Sequence, residues 1–144
     1  MIPKDPPIAG TVLRYSYLWR REAEQDRDEG VKDRPVALLL SRVPEEGSCI
    51  VLPITHSAPD DPRNAVELPD AERARLGLDA ERCWIVLTEL NVFAWPGPDL
   101  RPIPGREPAT IVYGTLSRTL FRKVLDRVQA LVHARGVRPV DRTP

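Results

Sequence analysis

Apolar residues fall along this chain in short runs, separated by clusters of proline, glycine and charged residues. From Thr11 to Trp19 the sequence TVLRYSYLW is rich in β-branched and aromatic residues, which suit a pleated, half-buried surface and predict a strand. The following RREAEQDRDEGVKD is densely charged and has no apolar stripe to hold a helix against a core, so it reads as a surface loop. Arg34-Pro35 then leads into VALLLSR, a continuous apolar run typical of a central strand covered on both sides. After the turn residues PEEGS comes a second such run, CIVLPITHS, and the two together predict an antiparallel hairpin. APDDPR is a turn cluster and NAVEL a brief strand.

In the second half, Asp70 is placed to cap a short helix through Leu76, with Gly77 as its stop. Cys83–Glu89 predicts a strand that Val92–Trp95 extends or bends. Prolines 96, 98, 102 and 104 lack backbone donors and rule out regular pairing there, before a last short strand at Thr110–Tyr113. The clearest element is a closing helix capped by Ser117. Leu120, Phe121, Val124, Leu125, Val128, Leu131 and Val132 recur at steps of three and four and share one face. Arg118, Arg122, Lys123, Asp126 and Arg127 fall mostly on the other face, which reads as a solvated surface. Gly136 ends the helix, and residues 1–9 and 136–144 read as loose arms around one domain spanning 1–144. Periodicity alone therefore implies a mainly β domain with α: a compact, strongly bent sheet closed by an amphipathic helix.

Composition narrows the class without naming a chemistry. A length of 144 residues allows one real core, and no apolar run approaches the roughly 18 residues a membrane span needs. MIPKDPPIAG has no apolar segment behind its lysine and does not read as a signal peptide, so a cytoplasmic, membrane-free protein is expected. Lys plus Arg and Asp plus Glu both number 21, which argues against coating a long duplex by bulk charge but permits a local arginine cluster in a groove. Cys49 and Cys83 sit in apolar runs without CxxC spacing, and only His56 and His133 could join them on zinc. Both read as buried free thiols.

Three segments resemble the PemK/MazF family of toxins: GTVLRYSYLW at Gly10–Trp19, KDRPVALLLSR at Lys32–Arg42 and VLPITHS at Val51–Ser57. WIVLTELN at Trp84–Asn91 and the closing helix add weaker likeness, so the resemblance covers roughly residues 10–133. It implies an SH3-like curved antiparallel sheet or barrel and a homodimer in a type II toxin–antitoxin system. It also implies an endoribonuclease that cuts single-stranded mRNA without metal or cofactor, under restraint by a cognate acidic antitoxin. The chain departs from the family pattern at Leu87, where some members carry arginine, and in its longer, charged first loop.

Metal-independent RNA cleavage uses the 2′-hydroxyl as nucleophile, so it needs proton carriers and fixed donors for the phosphorane's added charge. Arg34 matches the family's catalytic arginine, and its planar fork can meet two phosphate oxygens; a salt bridge to Asp33, Glu29 or another loop acid is the plainer reading. Thr55 matches the family's catalytic threonine, against the reading of an ordinary strand residue. His56 is the only histidine nearby and a natural proton carrier, yet strand neighbours face opposite ways, so it joins Thr55 only if the strand ends or bulges. Catalytic, RNA-contacting and merely exposed roles stay open for it. Glu89 corresponds to the family's later acidic position, as base or as orienter of Arg34, or else forms a surface ion pair. Trp19 is the candidate base-stacking platform, with Arg20, Lys32 and Ser57 as further RNA contacts. The rivals are a non-catalytic SH3-like module that binds nucleic acid or protein, and a toxin that inhibits a protein target such as a topoisomerase.

Overall fold

The computed structural model describes residues 2–18, 32–42, 48–135 and 139–141. Among these residues eight strands form one sheet: β1 (Thr11–Tyr17), β2 (Lys32–Arg42), β3 (Ser48–Thr55), β4 (Ala65–Glu67), β5 (Trp84–Val86), β6 (Leu90–Ala94), β7 (Val112–Thr115) and β8 (Pro139–Asp141). Among the described residues two α-helices accompany them, α1 (Asp70–Leu76) and α2 (Arg118–Arg135), with a 3₁₀ turn at Pro62–Asn64 inside the expected turn cluster. The fold is mainly β, and every pairing among the described residues is antiparallel except that of β6 with β8. Among the described residues no helix is long and apolar enough to cross a membrane.

The predicted hairpin is the centre of the sheet. β2 and β3 pair with Val36 opposite Pro53, Ala37 opposite Leu52 and Leu38 opposite Val51, and β1 flanks β2 with Val12 opposite Ala37. Because alternate residues face opposite ways, this register sorts the apolar positions onto two faces. Val12, Ala37, Leu39, Leu52 and Ile54 lie in one buried cluster; Leu13, Tyr15, Tyr17, Val36, Leu38 and Val51 lie in the other. Doubly covered strands explain why VALLLSR and CIVLPITHS read as unbroken apolar runs.

α2 covers the first face. Leu120, Val124, Val128 and Leu131 are buried in its cluster, and Phe121 and Leu125 pack against it, while Val132 stays 40% exposed at the edge of the stripe. Ser117 caps the helix as expected, its Oγ accepting from Leu120 N at 3.3 Å. The second face is covered by the proline-rich stretch. Leu100 and Ile111 are buried against it, and Leu100 makes an isolated bridge to Tyr15. Pairing there is limited to residues that keep a donor: Ser16 N donates to Asp99 O and Arg101 N to Arg14 O.

Four expectations need correction. Asp70 is the first residue of α1 rather than its cap; Pro69 holds the cap position with an extended backbone, and the Asp70 carboxylate accepts from Arg73 Nη2 at 2.5 Å. An acid in that first turn still complements the helix dipole. Gly77 does stop the helix, with φ of 70°. Cys83–Glu89 is not one strand: β5 ends at Val86, the chain turns, and Leu90–Ala94 forms β6 as a strand of its own. The two divide one edge of β3, β5 beside Ile54–Thr55 and β6 beside Ser48–Val51, which no local pattern announces. The last short strand lies at Val112–Thr115 rather than Thr110–Tyr113. Finally, the tail expected to be loose contributes β8, whose Val140 lies opposite Asn91.

Buried charge holds α1 in place. Arg73 is 7% exposed and donates to Leu68 O at 3.1 Å as well as to Asp70, and Glu72 is 8% exposed. Glu72 accepts from Arg75 and from Ser117 N, and so ties α1 to the start of α2. Cys49 and Cys83 are both buried thiols outside any disulfide, as expected.

Candidate functional site

β3 ends at Thr55, and β2 begins on the neighbouring track at Lys32, so these strand termini lie side by side at one rim of the sheet. An open cleft of about 750 Å³ lies there. Its floor is built by the strand ends, and its walls by Gly77–Asp79 after α1, by Ile103–Pro104 and by Tyr113. A volume of this size lies within the range of small-molecule sites and exceeds what a single phosphate needs.

Arg34, Thr55, His56 and Ser57 all line this cleft. Carrying the β2–β3 register two residues past Val36 and Pro53 sets Arg34 opposite Thr55, and strand alternation puts both on the same side of the sheet. Arg34 is half-buried, and its backbone is fixed by pairing with Tyr15 of β1. The Thr55 hydroxyl accepts from Ser57 N at 3.2 Å, so its own proton remains to be donated elsewhere. The condition set for His56 is met, since the strand does end at Thr55 and the chain bends into His56.

His56 is exposed and tied to the loop after α1. Its Nδ1 lies 2.9 Å from Arg82 O, and its Nε2 lies 3.1 Å from Asp79 Oδ2. Glu81 Oε2 is 3.6 Å from Nδ1, and the ligand atoms of His56, Asp79 and Glu81 fall within 4.8 Å of one another, all three residues being exposed. Arg82 is anchored in turn by two bonds to Glu67, at 2.7 and 2.9 Å, and lies over the Trp84 ring. The Arg82 bond holds the Glu67 carboxyl below its usual range.

Of the remaining candidates, Glu89 falls elsewhere. Glu89 sits half-buried in the turn between β5 and β6 and does not line the cleft. Lys32 opens β2 opposite Tyr17. Trp19 and Arg20 lie outside the described residues. Leu87, at the position where some members of the resembled family carry arginine, is fully buried in the helix-covered cluster.

Sequence reasoning passed over Arg14 and Tyr113. Both line the cleft, and Arg14 Nη1 donates to the Tyr113 hydroxyl at 3.2 Å. The available signal was Arg14 itself, the one charged residue inside TVLRYSYLW. Asp33 also lines the cleft, with Arg101 Nε 3.8 Å from its Oδ1. Cys83 lies against the cleft as well, and burial pushes its thiol up to about 11, so it is protonated near neutrality and a poor nucleophile.

No protein-family model matches this sequence, and no curated protein matches it.

Proposed function

We propose that this chain is a toxin-type endoribonuclease of the PemK/MazF kind, built on an SH3-like curved sheet and cutting single-stranded RNA without metal. One observation carries the reading: Arg34 and Thr55, singled out by resemblance, share one face of the sheet and one open cleft. In the proposed reaction the substrate's 2′-oxygen attacks the adjacent phosphorus as its proton leaves. The bond from phosphorus to the 5′-oxygen breaks, that oxygen takes up a proton, and a 2′,3′-cyclic phosphate and a 5′-hydroxyl end result.

Arg34 supplies a guanidinium fork to the two non-bridging oxygens, and the Thr55 hydroxyl donates to one of them. Strand pairing fixes the backbone at both positions before substrate arrives, and donors positioned in advance are the ones effective in the transition state. His56 bears a different relation to the reaction. Both its ring nitrogens face protein oxygens, so its role in this reading is to fix the end of β3 against the 79–82 loop. Glu89 lies outside the cleft and takes no part in this reading. The homodimer and the acidic antitoxin belong to the same proposal and rest on the resemblance alone.

The test is a labelled single-stranded RNA incubated with purified protein and chelator. Cyclic phosphate ends, with the rate falling about a hundredfold or more in Arg34→Ala, support the reading. Intact RNA under all conditions removes it. Cleavage abolished by the chelator would move the chemistry to the His56, Asp79 and Glu81 group. Growth arrest on induced expression, relieved by Arg34→Ala, tests the toxin half of the proposal.

A further inference from the structure

Arg14 is anomalous where it stands. On its row of β1 the neighbours are Val12, fully buried, and Ser16, 3% exposed, and across the ladder is Pro35. The guanidinium is half-buried, and a cation so placed is costly unless something negative meets it. Among the described residues no carboxylate does so, and its side-chain bond goes to the neutral hydroxyl of Tyr113. The two acids of the cleft are engaged otherwise. Asp33, diagonal to Arg14 across the β1–β2 ladder, has Arg101 at 3.8 Å, and Asp79 bonds His56.

The bond from Arg14 leaves useful chemistry unspent. Arg14 uses one of its five N–H donors, and Tyr113 accepts that bond while keeping its own O–H to give. Tyr113 is itself steadied by the Arg106 guanidinium, 5.5 Å from its ring centroid. Strand alternation puts Arg14 and Pro35 on the opposite row from Tyr15 and Arg34, so the two arginines reach the cleft from different sides of the rim. They cannot serve as one fork on one phosphate as naturally as two forks on two phosphates.

We propose that Arg14 and Tyr113 form a second phosphate-binding subsite, which grips a backbone phosphate next to the one held at Arg34 and Thr55. The subsite rests on the nuclease reading for its substrate class, single-stranded RNA. Its consequence is that the enzyme measures more than one phosphodiester: a chain offering both phosphates is held and aligned, and a single linkage is not.

The experiment compares a tetranucleotide with a dinucleoside monophosphate, which has only the scissile phosphate. Arg14→Gln should lower kcat/KM on the tetranucleotide at least tenfold more than on the dinucleotide, mainly through KM. Tyr113→Phe, which keeps the ring, should do the same to a lesser degree. Binding of a tetranucleotide made uncleavable by 2′-deoxy sugars, followed against salt, should lose about 0.7 in the slope of log K on log salt in Arg14→Gln, the signature of one lost phosphate contact on a single strand. Equal losses on the two substrates, or an unchanged salt slope, overturn the subsite whether or not the variant folds less stably. Wild-type protein that binds the deoxy oligomer with this slope change but cleaves nothing overturns the nuclease and keeps the subsite; protein that neither binds nor cleaves overturns both.

Discussion

The two faces of the central sheet are covered by different means. One carries aliphatic side chains under α2, with Leu120, Val124, Val128 and Leu131 entering at helical spacing. The other is aromatic, with Tyr15 and Phe93 rings 5.1 Å apart, and its cover is the irregular stretch that supplies Leu100 and Ile111. A helix satisfies its own backbone and needs only an apolar stripe to dock. A proline-rich cover has few donors to offer, so it leans on a handful of bonds to β1 and on large buried rings. The cleft opens at the rim, with Ile103–Pro104 of the proline-rich cover in its wall, and it draws Arg14 from the first face and Arg34 and Thr55 from the second. Function in this reading belongs to the rim and not to either core.

Substitutions ranked by expected effect sharpen that contrast. Phe93→Ala, at 1% exposure, should cost about 3–5 kcal/mol in denaturant unfolding, and Leu120→Ala, on the helix side, about 2–5 kcal/mol. If the covers are independent, the double variant should show the sum within about 0.5 kcal/mol; a larger coupling would make the two faces one cooperative unit. Glu72→Gln weakens the link between α1 and α2, and a loss of about 1–3 kcal/mol is expected in the same assay. An unchanged midpoint would show that the buried charges are incidental to holding that wall of the cleft.

Smaller effects are expected at the rim. His56→Ala should move stability by less than about 1 kcal/mol, because its partners are exposed. Its cleavage rate should fall less than tenfold, since both ring nitrogens are already committed; a hundredfold loss would restore it as the proton carrier. Cys83 should react slowly with iodoacetamide in the native protein at neutral pH and readily after unfolding. Its thiol, raised to about 11, becomes a thiolate only as the pH climbs toward that value. Rapid native labelling would mean that the cleft wall opens.

Legibility followed the same division. The β2–β3 hairpin, α2 and its Ser117 cap were readable because each rests on local pattern: unbroken apolar runs, a repeat of three and four, a hydroxyl at the right offset. The splitting of β3's edge between β5 and β6 was not, because Trp84–Glu89 and Leu90–Trp95 have similar local composition and only the third dimension assigns them different partners. The convergence of Arg34 and Thr55 was legible through resemblance and hairpin register. Arg14 was not singled out, although a lone charge in an apolar strand is a local signal. It was absorbed into the strand that contains it, and Tyr113 lies almost a hundred positions away in sequence.

The parallel pairing of β6 with β8 has a bearing on biosynthesis. Ribosomes make the chain from its amino end, yet the outer side of Leu90–Val92 receives its partner only after the whole of α2 has been polymerised. Until then the nascent domain carries a bare sheet margin able to recruit a neighbour on the same polysome. Stalling or truncation before Pro139 would therefore be expected to favour aggregation over a merely shortened but soluble product.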